Sequence, residues 1–336
     1  MGKGIVKLGE GQWAVKDGNL LAVKESNSRF LNTEFTVTRG TRATYIGRDG
    51  LIKESNLQDT NLLLNGDFEE LGDDLVDNGD FALGDNGDWN LSIGDAVIEE
   101  DVAKFPTSTN TFIIQSSVVP ASVKTYKLTY DIISTNGNTF RLAGGSSAFG
   151  LINLDSATTG TKTAYITSNG TKQSLQFNNN AFIGSIDNVS LKEVDPNDRW
   201  SLNATGGSSA LITDKLTLSC DDGDFVNASQ SYSFVNGNTY RLSFDLTADN
   251  QDENFTFRDD GGGLGGLDED ISLNFGGTET KTFIFTANTN SDSIYIKRNS
   301  NATYSWSIDN ISVQEVKTAT PRIDFTNNTD GHLLLE

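Results

Sequence analysis

The chain of 336 residues has few of the residue types that form covalent cross-links, metal centres and catalytic sites. It contains one cysteine and one histidine, which excludes an internal disulfide and a zinc site built from the usual nitrogen and sulfur ligands. Its net charge of −21 argues against nucleic acid as a partner, because that binding depends on Lys and Arg residues that neutralise phosphates.

Long apolar runs are also missing. No segment approaches the roughly 20 apolar residues of a membrane-spanning helix, so we expect no membrane insertion. The first ten residues lack the apolar stretch of a secretory signal, so we expect synthesis in the cytoplasm without classical export.

The acidic charge is unevenly distributed along the chain. Residues 1–60 carry nine basic and seven acidic residues, whereas residues 61–336 carry 16 and 39. Long turns rich in Asp, Asn and Gly account for such an excess, because these residues suit turn conformations. The alternative is that the two segments have different partners.

Alternation of apolar and polar residues dominates the chain, and helical periodicity is nearly absent. Residues 126–132 and 240–246 each place aromatic and aliphatic side chains on one face of a strand. Asn-Gly pairs at 136–137 and 236–237 are typical of tight hairpin turns. The pattern predicts an all-β protein of the sandwich or jelly-roll type.

An internal repeat predicts the domain organisation. The block at 185–194 recurs at 307–316, a spacing of 122 residues that suits a complete sandwich domain. We therefore predict tandem domains at 62–195 and 196–317. A motif Asn-Gly-Asp-Phe occurs at 65–68 and again at 78–81, and either copy could begin the first domain. The second domain contains no such motif.

The repeated block resembles carbohydrate-binding-module-like jelly rolls, which are galactose-binding-like sandwiches. The resemblance rests on the Asn-Gly-Asp-Phe opening, a Trp soon after it, and the closing Ile-Asp-Asn-Val-Ser strand. The flanks, at 39–45, 49–54, 320–325 and 331–336, resemble a framework of phage tail-fibre and related virion structural proteins. This resemblance implies that the two jelly rolls are inserted within the framework.

The resemblance implies a non-enzymatic bacteriophage virion structural protein, a tail or head fibre component located in the virion. Residues 1–61 would form a β module for virion attachment and oligomerisation, with 318–336 packing against it. The implied partners are other virion proteins, sister chains in a homotrimer, and host surface glycans. The alternatives are an architectural capsid decoration or tail adaptor without a ligand, and a secreted bacterial carbohydrate-binding protein.

Carboxylates are plentiful, but they lie in Asp-rich turns and form no recognisable catalytic arrangement, so we predict no catalytic residue and no required cofactor. The family resemblance instead implies structural calcium near the opening and closing strands, held by oxygen ligands. The matching positions in the first repeat are Asp67 and Glu69 (or Asp80), together with Asp187, and in the second repeat only Asp309 matches. The alternative role for the closing-strand Asp is to cap a bulge by hydrogen bonding.

Glycan sites combine exposed aromatic faces with a few polar side chains. Four aromatic residues in late strands are candidates for such contacts: Tyr165, Phe182, Tyr304 and Trp306. The alternative for each of them is packing in the core.

Overall fold

The computed structural model describes residues 12–16, 19–24, 29–33, 44–46, 52–54, 60–108, 110–259, 266–288, 293–316, 322–324 and 332–334. Within these ranges the structure contains strands and no helix, and so no apolar helix long enough to cross a membrane. Contacts divide the chain into two compact units, one of residues 61–238 and 242–313, and one of residues 1–60, 239–241 and 314–336.

The second of these units contains short antiparallel elements near both ends of the chain. Its strands before residue 60 are β1 (Gln12–Lys16), β2 (Asn19–Lys24), β3 (Arg29–Thr33), β4 (Thr44–Ile46) and β5 (Ile52–Glu54). Strands β1, β2 and β3 form one sheet, and β4 pairs with β5. Most of the predicted attachment module at 1–61 and of the segment at 318–336 lies outside the described residues.

The first sandwich consists of two antiparallel sheets. Its strands are β6 (Leu71–Asp74), β7 (Asn90–Ile93), β8 (Val97–Glu99), β9 (Val102–Phe105), β10 (Phe112–Gln115), β11 (Thr125–Thr135), β12 (Phe140–Leu142), β13 (Ile152–Leu154), β14 (Gly160–Thr167), β15 (Leu175–Asn178) and β16 (Gly184–Val194). One sheet has the order β13-β12-β15-β10-β7, and the other has the order β14-β11-β16-β9-β8 with β6 beside β16.

The second sandwich repeats this arrangement. Its strands are β17 (Ser201–Ala204), β18 (Ser209–Ile212), β19 (Leu216–Cys220), β20 (Val226–Ser231), β21 (Thr239–Asp249), β22 (Asn254–Arg258), β23 (Asp268–Ser272), β24 (Gly276–Thr286), β25 (Ser293–Arg298) and β26 (Tyr304–Val316). The sheets have the orders β17-β20-β25-β22-β23 and β18-β19-β26-β21-β24. The last strands of the chain, β27 (Arg322–Asp324) and β28 (His332–Leu334), pair with each other.

Aromatic side chains fill the space between the two sheets of each sandwich. Phe140 of β12 stacks on Phe177 of β15, with ring centroids 5.2 Å apart. In β11, Tyr126, Leu128 and Tyr130 are buried and alternate with more exposed residues, as the sequence pattern predicts. The prediction of an all-β fold built from sandwiches is confirmed.

The Asn-Gly-Asp-Phe motif at 78–81 packs against the first sandwich. Trp89 Nε1 donates a hydrogen bond to the Asn78 carbonyl oxygen at 3.1 Å, and the Phe81 ring lies 5.6 Å from the Trp89 ring. The backbone N–H of Val189, in β16, donates to the Gly79 carbonyl oxygen at 2.8 Å. The motif therefore ties the first Trp of the repeat to its closing strand.

The copy at 65–68 makes the same contacts with the second sandwich. Trp200 Nε1 donates to the Asn65 carbonyl oxygen at 3.1 Å, and the Phe68 ring lies 5.4 Å from the Trp200 ring. The backbone N–H of Ile311, in β26, donates to the Gly66 carbonyl oxygen at 2.8 Å. The second sandwich therefore has an Asn-Gly-Asp-Phe opening, supplied from a part of the chain that precedes the first sandwich.

Residues 61–70, which we call the opening segment, make further bonds of the same kind. Leu64 exchanges two hydrogen bonds with the Gln230 side chain, at 2.6 and 2.8 Å. Asp77 exchanges the equivalent pair with Gln115 in the first sandwich, at 3.0 and 2.7 Å. The first sandwich is thus inserted between the opening segment and the rest of the second. The predicted boundary at 62 placed this segment in the first domain, whereas these bonds join it to the second sandwich.

Candidate functional site

Three of the four predicted glycan-contacting aromatics lie in the cores. Phe182 is 0% exposed and packs against Phe105 and Phe140. Tyr304 and Trp306 are 4% and 2% exposed and stack on each other, with centroids 5.2 Å apart. The prediction that these three side chains offer exposed surfaces to a sugar is wrong, because their rings occupy the space between two sheets.

Tyr165 is the remaining predicted aromatic. It lies half-buried on β14 of the first sandwich, opposite Lys127 of β11. The Lys127 ammonium group lies 5.9 Å from the centre of the Tyr165 ring, which is within the range of a cation–π contact. A role for Tyr165 in glycan binding stays a prediction.

The predicted calcium ligands divide differently between the repeats than the sequence indicated. Asp67 and Glu69 belong to the opening segment and lie near the closing strand of the second sandwich, which contains Asp309. Asp80 lies near Asp187 of the first sandwich. In the described parts of the chain, no group of three or more acidic, His or Cys side chains is arranged to hold a metal ion. Calcium binding stays a prediction.

Each closing strand contains a carboxylate pair beside an Asn in the left-handed backbone region. Asp187 lies opposite Asp131 in the register of β16 and β11. Asn188 has a φ of 49°, its backbone N–H donates to Asp187 Oδ1 at 2.7 Å, and its Nδ2 donates to Asp131 Oδ2 at 2.8 Å. Asp309, Asn310 and Asp245 repeat this arrangement in the second sandwich. The closing-strand Asp therefore caps an irregularity in the strand.

Replacement of Asp187 by Asn is expected to stabilise the protein at neutral pH. Burial, and then the negative charge of Asp131, raise the pKa of Asp187 despite the hydrogen bond from Asn188. A raised carboxyl pKa means that the folded state binds a proton more readily than the unfolded state. The wild type therefore loses stability as the pH rises from the unfolded-state pKa of Asp187 through its folded-state pKa. Asn keeps the acceptor oxygen and removes the charge.

Thermal melting of wild type and Asp187→Asn between pH 7 and pH 4 tests this expectation. The variant should melt higher at pH 7, and the difference should shrink toward pH 4, where the wild-type carboxyl becomes protonated. A chelator included in parallel tests the calcium prediction. A lower midpoint for the variant at pH 7 that the chelator reproduces in the wild type would instead indicate a bound cation.

In the second sandwich, the sheet β17-β20-β25-β22-β23 exposes a row of polar and aromatic side chains on its outer side. Burial alternates along β20 and β25, so the residues between the buried positions point away from the core, and the register places Arg258 of β22 beside Tyr295. The row crosses all five strands in register, and we call it the second sheet face: Ser201, Ser229, Tyr295, Arg258 and Asp268.

Tyr295 occupies the centre of the second sheet face and is half-buried. Beside it, Arg258 Nε donates to Asp268 Oδ1 at 2.6 Å, so the cation is paired and held in place. Lys297 lies on the next outward position of β25, and burial together with the positive charge of Arg258 lowers the pKa of its amine. The face therefore offers an aromatic ring between fixed donors and acceptors.

A cleft of about 320 Å³ lies at the Ser201 end of the second sheet face. Ser201 and Ser229 line both the face and the cleft, which continues toward Leu64 and Arg199. Arg199 Nε is 3.3 Å from Glu70 Oε2 of the opening segment, so the wall of the cleft is anchored. A ligand on the face can therefore extend into this cleft.

The equivalent sheet of the first sandwich presents a different row. It crosses the five strands in register, and we call it the first sheet face: Ile93, Phe112, Asn178, Arg141 and Asn153. Arg141 Nε donates to Asn178 Oδ1 at 2.8 Å, and Asn178 Nδ2 donates to Asn110 Oδ1 at 2.7 Å. A buried amide thus fixes the orientation of a half-exposed guanidinium group, and Phe112 lies across β15 from Arg141.

The sequence analysis did not identify either sheet face. Tyr295 follows a buried Ile and precedes another in β25, so the alternation shows that it points to the side opposite the core. That signal alone could have singled it out. The register that aligns it with Arg258 and Ser229 depends on pairing between strands distant in the sequence, which no local pattern determines.

No protein-family model matches the chain, and no curated protein matches it. Among solved structures, the chain is similar to a tandem pair of family-22 carbohydrate-binding modules from Paenibacillus barcinonensis Xyn10C. The identity is 12%, the TM-score is 0.26, and the match covers 74% of this chain and 99% of that chain. A family-11 carbohydrate-binding module of Clostridium thermocellum is 15% identical, with a TM-score of 0.26. That match covers 35% of this chain and 88% of the module.

The chain is also similar to the enzymatically active domain of tailspike protein 4 from bacteriophage CBA120. The identity is 16%, the TM-score is 0.28, and the match covers 35% of this chain but only 19% of the tailspike chain. The assignment of this protein to the all-β sandwich class rests on its own sheet topology.

Proposed function

We propose that this protein is a non-enzymatic structural component of a bacteriophage virion, a tail or head fibre protein, whose sandwiches bind host surface glycans. The virion context rests on the framework motifs at both ends of the chain. These motifs imply other virion proteins and sister chains in a trimer as partners. The single observation that supports glycan binding is the second sheet face, with Tyr295 at its centre.

The chemistry of the second sheet face suits a neutral oligosaccharide. The exposed side of the Tyr295 ring offers an apolar surface on which the C–H face of a sugar can stack. The Arg258–Asp268 pair supplies hydrogen-bond donors and an acceptor for neighbouring sugar hydroxyls. The Ser229 hydroxyl can both donate and accept a hydrogen bond. Because the pair is already charge-balanced, the face does not require a charged ligand.

The dimensions of the second sheet face suit a linear chain of sugars. Four strand spacings of about 4.8 Å separate its outermost residues, which gives a row about 19 Å long. The row then continues into the cleft beside Leu64 and Arg199. Several consecutive sugar units of one chain can therefore lie across the five strands.

Replacement of Tyr295 by Ala is expected to reduce glycan affinity by about tenfold to a hundredfold, which corresponds to about 1.4–2.8 kcal/mol. The experiment screens the wild type on an array of neutral and acidic oligosaccharides, and then measures the neutral ligands found with both proteins by titration calorimetry. Tyr165→Ala, measured in parallel, tests the remaining candidate aromatic separately, because Tyr165 lies half-buried on a sheet of the first sandwich. Equal affinities of Tyr295→Ala and wild type would overturn the proposed site.

Absence of binding to any glycan on the array would favour a purely architectural role, as a capsid decoration or tail adaptor. Antibody labelling of intact virions would then locate the protein on the capsid, the tail or a fibre tip. Labelling at a fibre tip together with Tyr295-dependent binding supports the proposal in full. Binding without any labelling of virions would favour a secreted carbohydrate-binding protein.

A further inference from the structure

The two sheet faces differ in how their arginine charges are neutralised. Arg258 on the second sheet face is bonded to the carboxylate of Asp268. Arg141 on the first sheet face is bonded through Nε to the neutral amide of Asn178. Within the described residues Arg141 has no carboxylate partner. The first sheet face therefore contains a half-exposed guanidinium group whose charge is not balanced by a bonded carboxylate.

Arg141 is held in place by Asn178, whose own side chain is buried and hydrogen-bonded. Asn178 is 0% exposed, and its amide nitrogen donates to Asn110 Oδ1 at 2.7 Å. Its Oδ1 accepts from Arg141 Nε and also from the backbone N–H of Asn180, at 3.2 Å. These bonds fix the Nε side of the guanidinium group and leave the terminal nitrogen atoms for another partner.

A second polar side chain of β15 lies next to Asn178 on the same side of the sheet. Gln176 occupies the next outward position on β15, is 4% exposed, and packs against Gly144. Its Oε1 has no hydrogen-bond partner among the described residues. This oxygen is buried, so a ligand on the first sheet face cannot reach it, and Arg141 supplies the polar contact there.

We propose that the first sheet face binds a sugar that carries a carboxylate. The terminal nitrogen atoms of Arg141 match the two oxygens of a carboxylate in a bidentate geometry. The half-buried Phe112 ring, opposite Asn178 in the register, supplies the apolar surface for the sugar ring. The inference rests on the proposed glycan-binding function and gives the two sandwiches different ligands.

The acidic excess of the whole chain opposes an anionic ligand only at long range. The net charge is −21, but charges farther away than about 8 Å are largely screened at physiological ionic strength. Beside the Asn110 loop, the two carboxylate oxygens of Asp95 accept hydrogen bonds from the Thr107 and Thr111 hydroxyls. Local contacts with Arg141 therefore decide the sign of the interaction.

The test measures binding of the full chain to uronate- and sialate-bearing oligosaccharides, each paired with its carboxyl-reduced, neutral counterpart at constant ionic strength. We expect at least one acidic oligosaccharide to bind about tenfold or more tighter than its counterpart. Arg141→Gln should lose about tenfold to a hundredfold in affinity for it, and Arg141→Lys should fall between the two because it keeps the charge but not the bidentate geometry. Lys172→Gln, which removes an exposed cation from a loop, should bind as the wild type does.

Three outcomes would overturn the inference: equal binding of acidic and reduced sugars, an unchanged affinity of a correctly folded Arg141→Gln variant, or binding of a phosphorylated oligosaccharide but of no carboxylate. If these occur while Tyr295-dependent binding of neutral oligosaccharides persists, only this inference fails. If no oligosaccharide of either kind binds, the proposed function fails as well.

Discussion

Replacement of Gly66 by Ala is expected to destabilise the second sandwich by about 3 kcal/mol and to leave the first sandwich nearly unchanged. A Cβ atom at Gly66 would overlap the carbonyl oxygen of Ile311, which is backbone of the long strand β26 and cannot move aside. The change would also displace the hydrogen bond from the Ile311 N–H to the Gly66 carbonyl oxygen. The expected effect lies in a sandwich whose other strands begin more than 130 residues later.

Gly79→Ala is the matched variant for the first sandwich. Its Cβ would overlap the carbonyl oxygen of Val189 in β16, the position equivalent to Ile311. Amide hydrogen exchange can measure the two variants region by region. Gly66→Ala should accelerate exchange in β19 and β26, whereas Gly79→Ala should accelerate it in β11 and β16. Faster exchange of the first sandwich in Gly66→Ala would contradict the insertion of one sandwich into the other.

Replacement of Trp306 by Ala is expected to cost about 3–5 kcal/mol of stability, because it removes a large buried ring and leaves a cavity. Trp306 lies between Phe255 and Tyr304, with centroids 5.1 and 5.2 Å from its own. A denaturant titration measures this loss directly. If Trp306 were a glycan-contacting residue, the variant would instead keep its stability and lose affinity.

Trp306→Phe keeps the variant testable if Trp306→Ala does not fold. Phe preserves the ring stack and removes an indole N–H that is buried without a hydrogen-bond partner among the described residues. The loss of volume and the removal of an unpaired donor act in opposite directions, so we expect a cost below about 1.5 kcal/mol. Glycan affinity of Trp306→Phe should equal that of the wild type.

Local patterns in the sequence predicted what depends on neighbouring residues. The alternation in 126–132 and 240–246 predicted β11 and β21, because burial on one side of a strand imposes a period of two. The recurrence of the block at 185–194 at 307–316 predicted that two sandwiches share one architecture.

Features that depend on pairing between distant residues escaped the sequence analysis. Both Asn-Gly-Asp-Phe copies were recognised, but their spacing along the chain gives no sign that Gly66 meets Ile311 while Gly79 meets Val189. Aromatic type alone could not separate Trp306, which is buried, from Tyr295, which is partly exposed. Similarly, no local pattern shows that Arg141 bonds to Asn178 on one neighbouring strand whereas Arg258 bonds to Asp268 on the other.

The most direct test of the account is the position at which a neutral oligosaccharide protects backbone amides from hydrogen exchange. A ligand taken from the array would be added to the full chain at saturation, and exchange would be compared with and without it. The account predicts slower exchange in β20, β22 and β25, the strands that carry Ser229, Arg258 and Tyr295, and much weaker protection in Tyr295→Ala when both proteins are compared at a ligand concentration near the wild-type Kd. Protection confined to the opposite sheet, β18-β19-β26-β21-β24, would contradict the account.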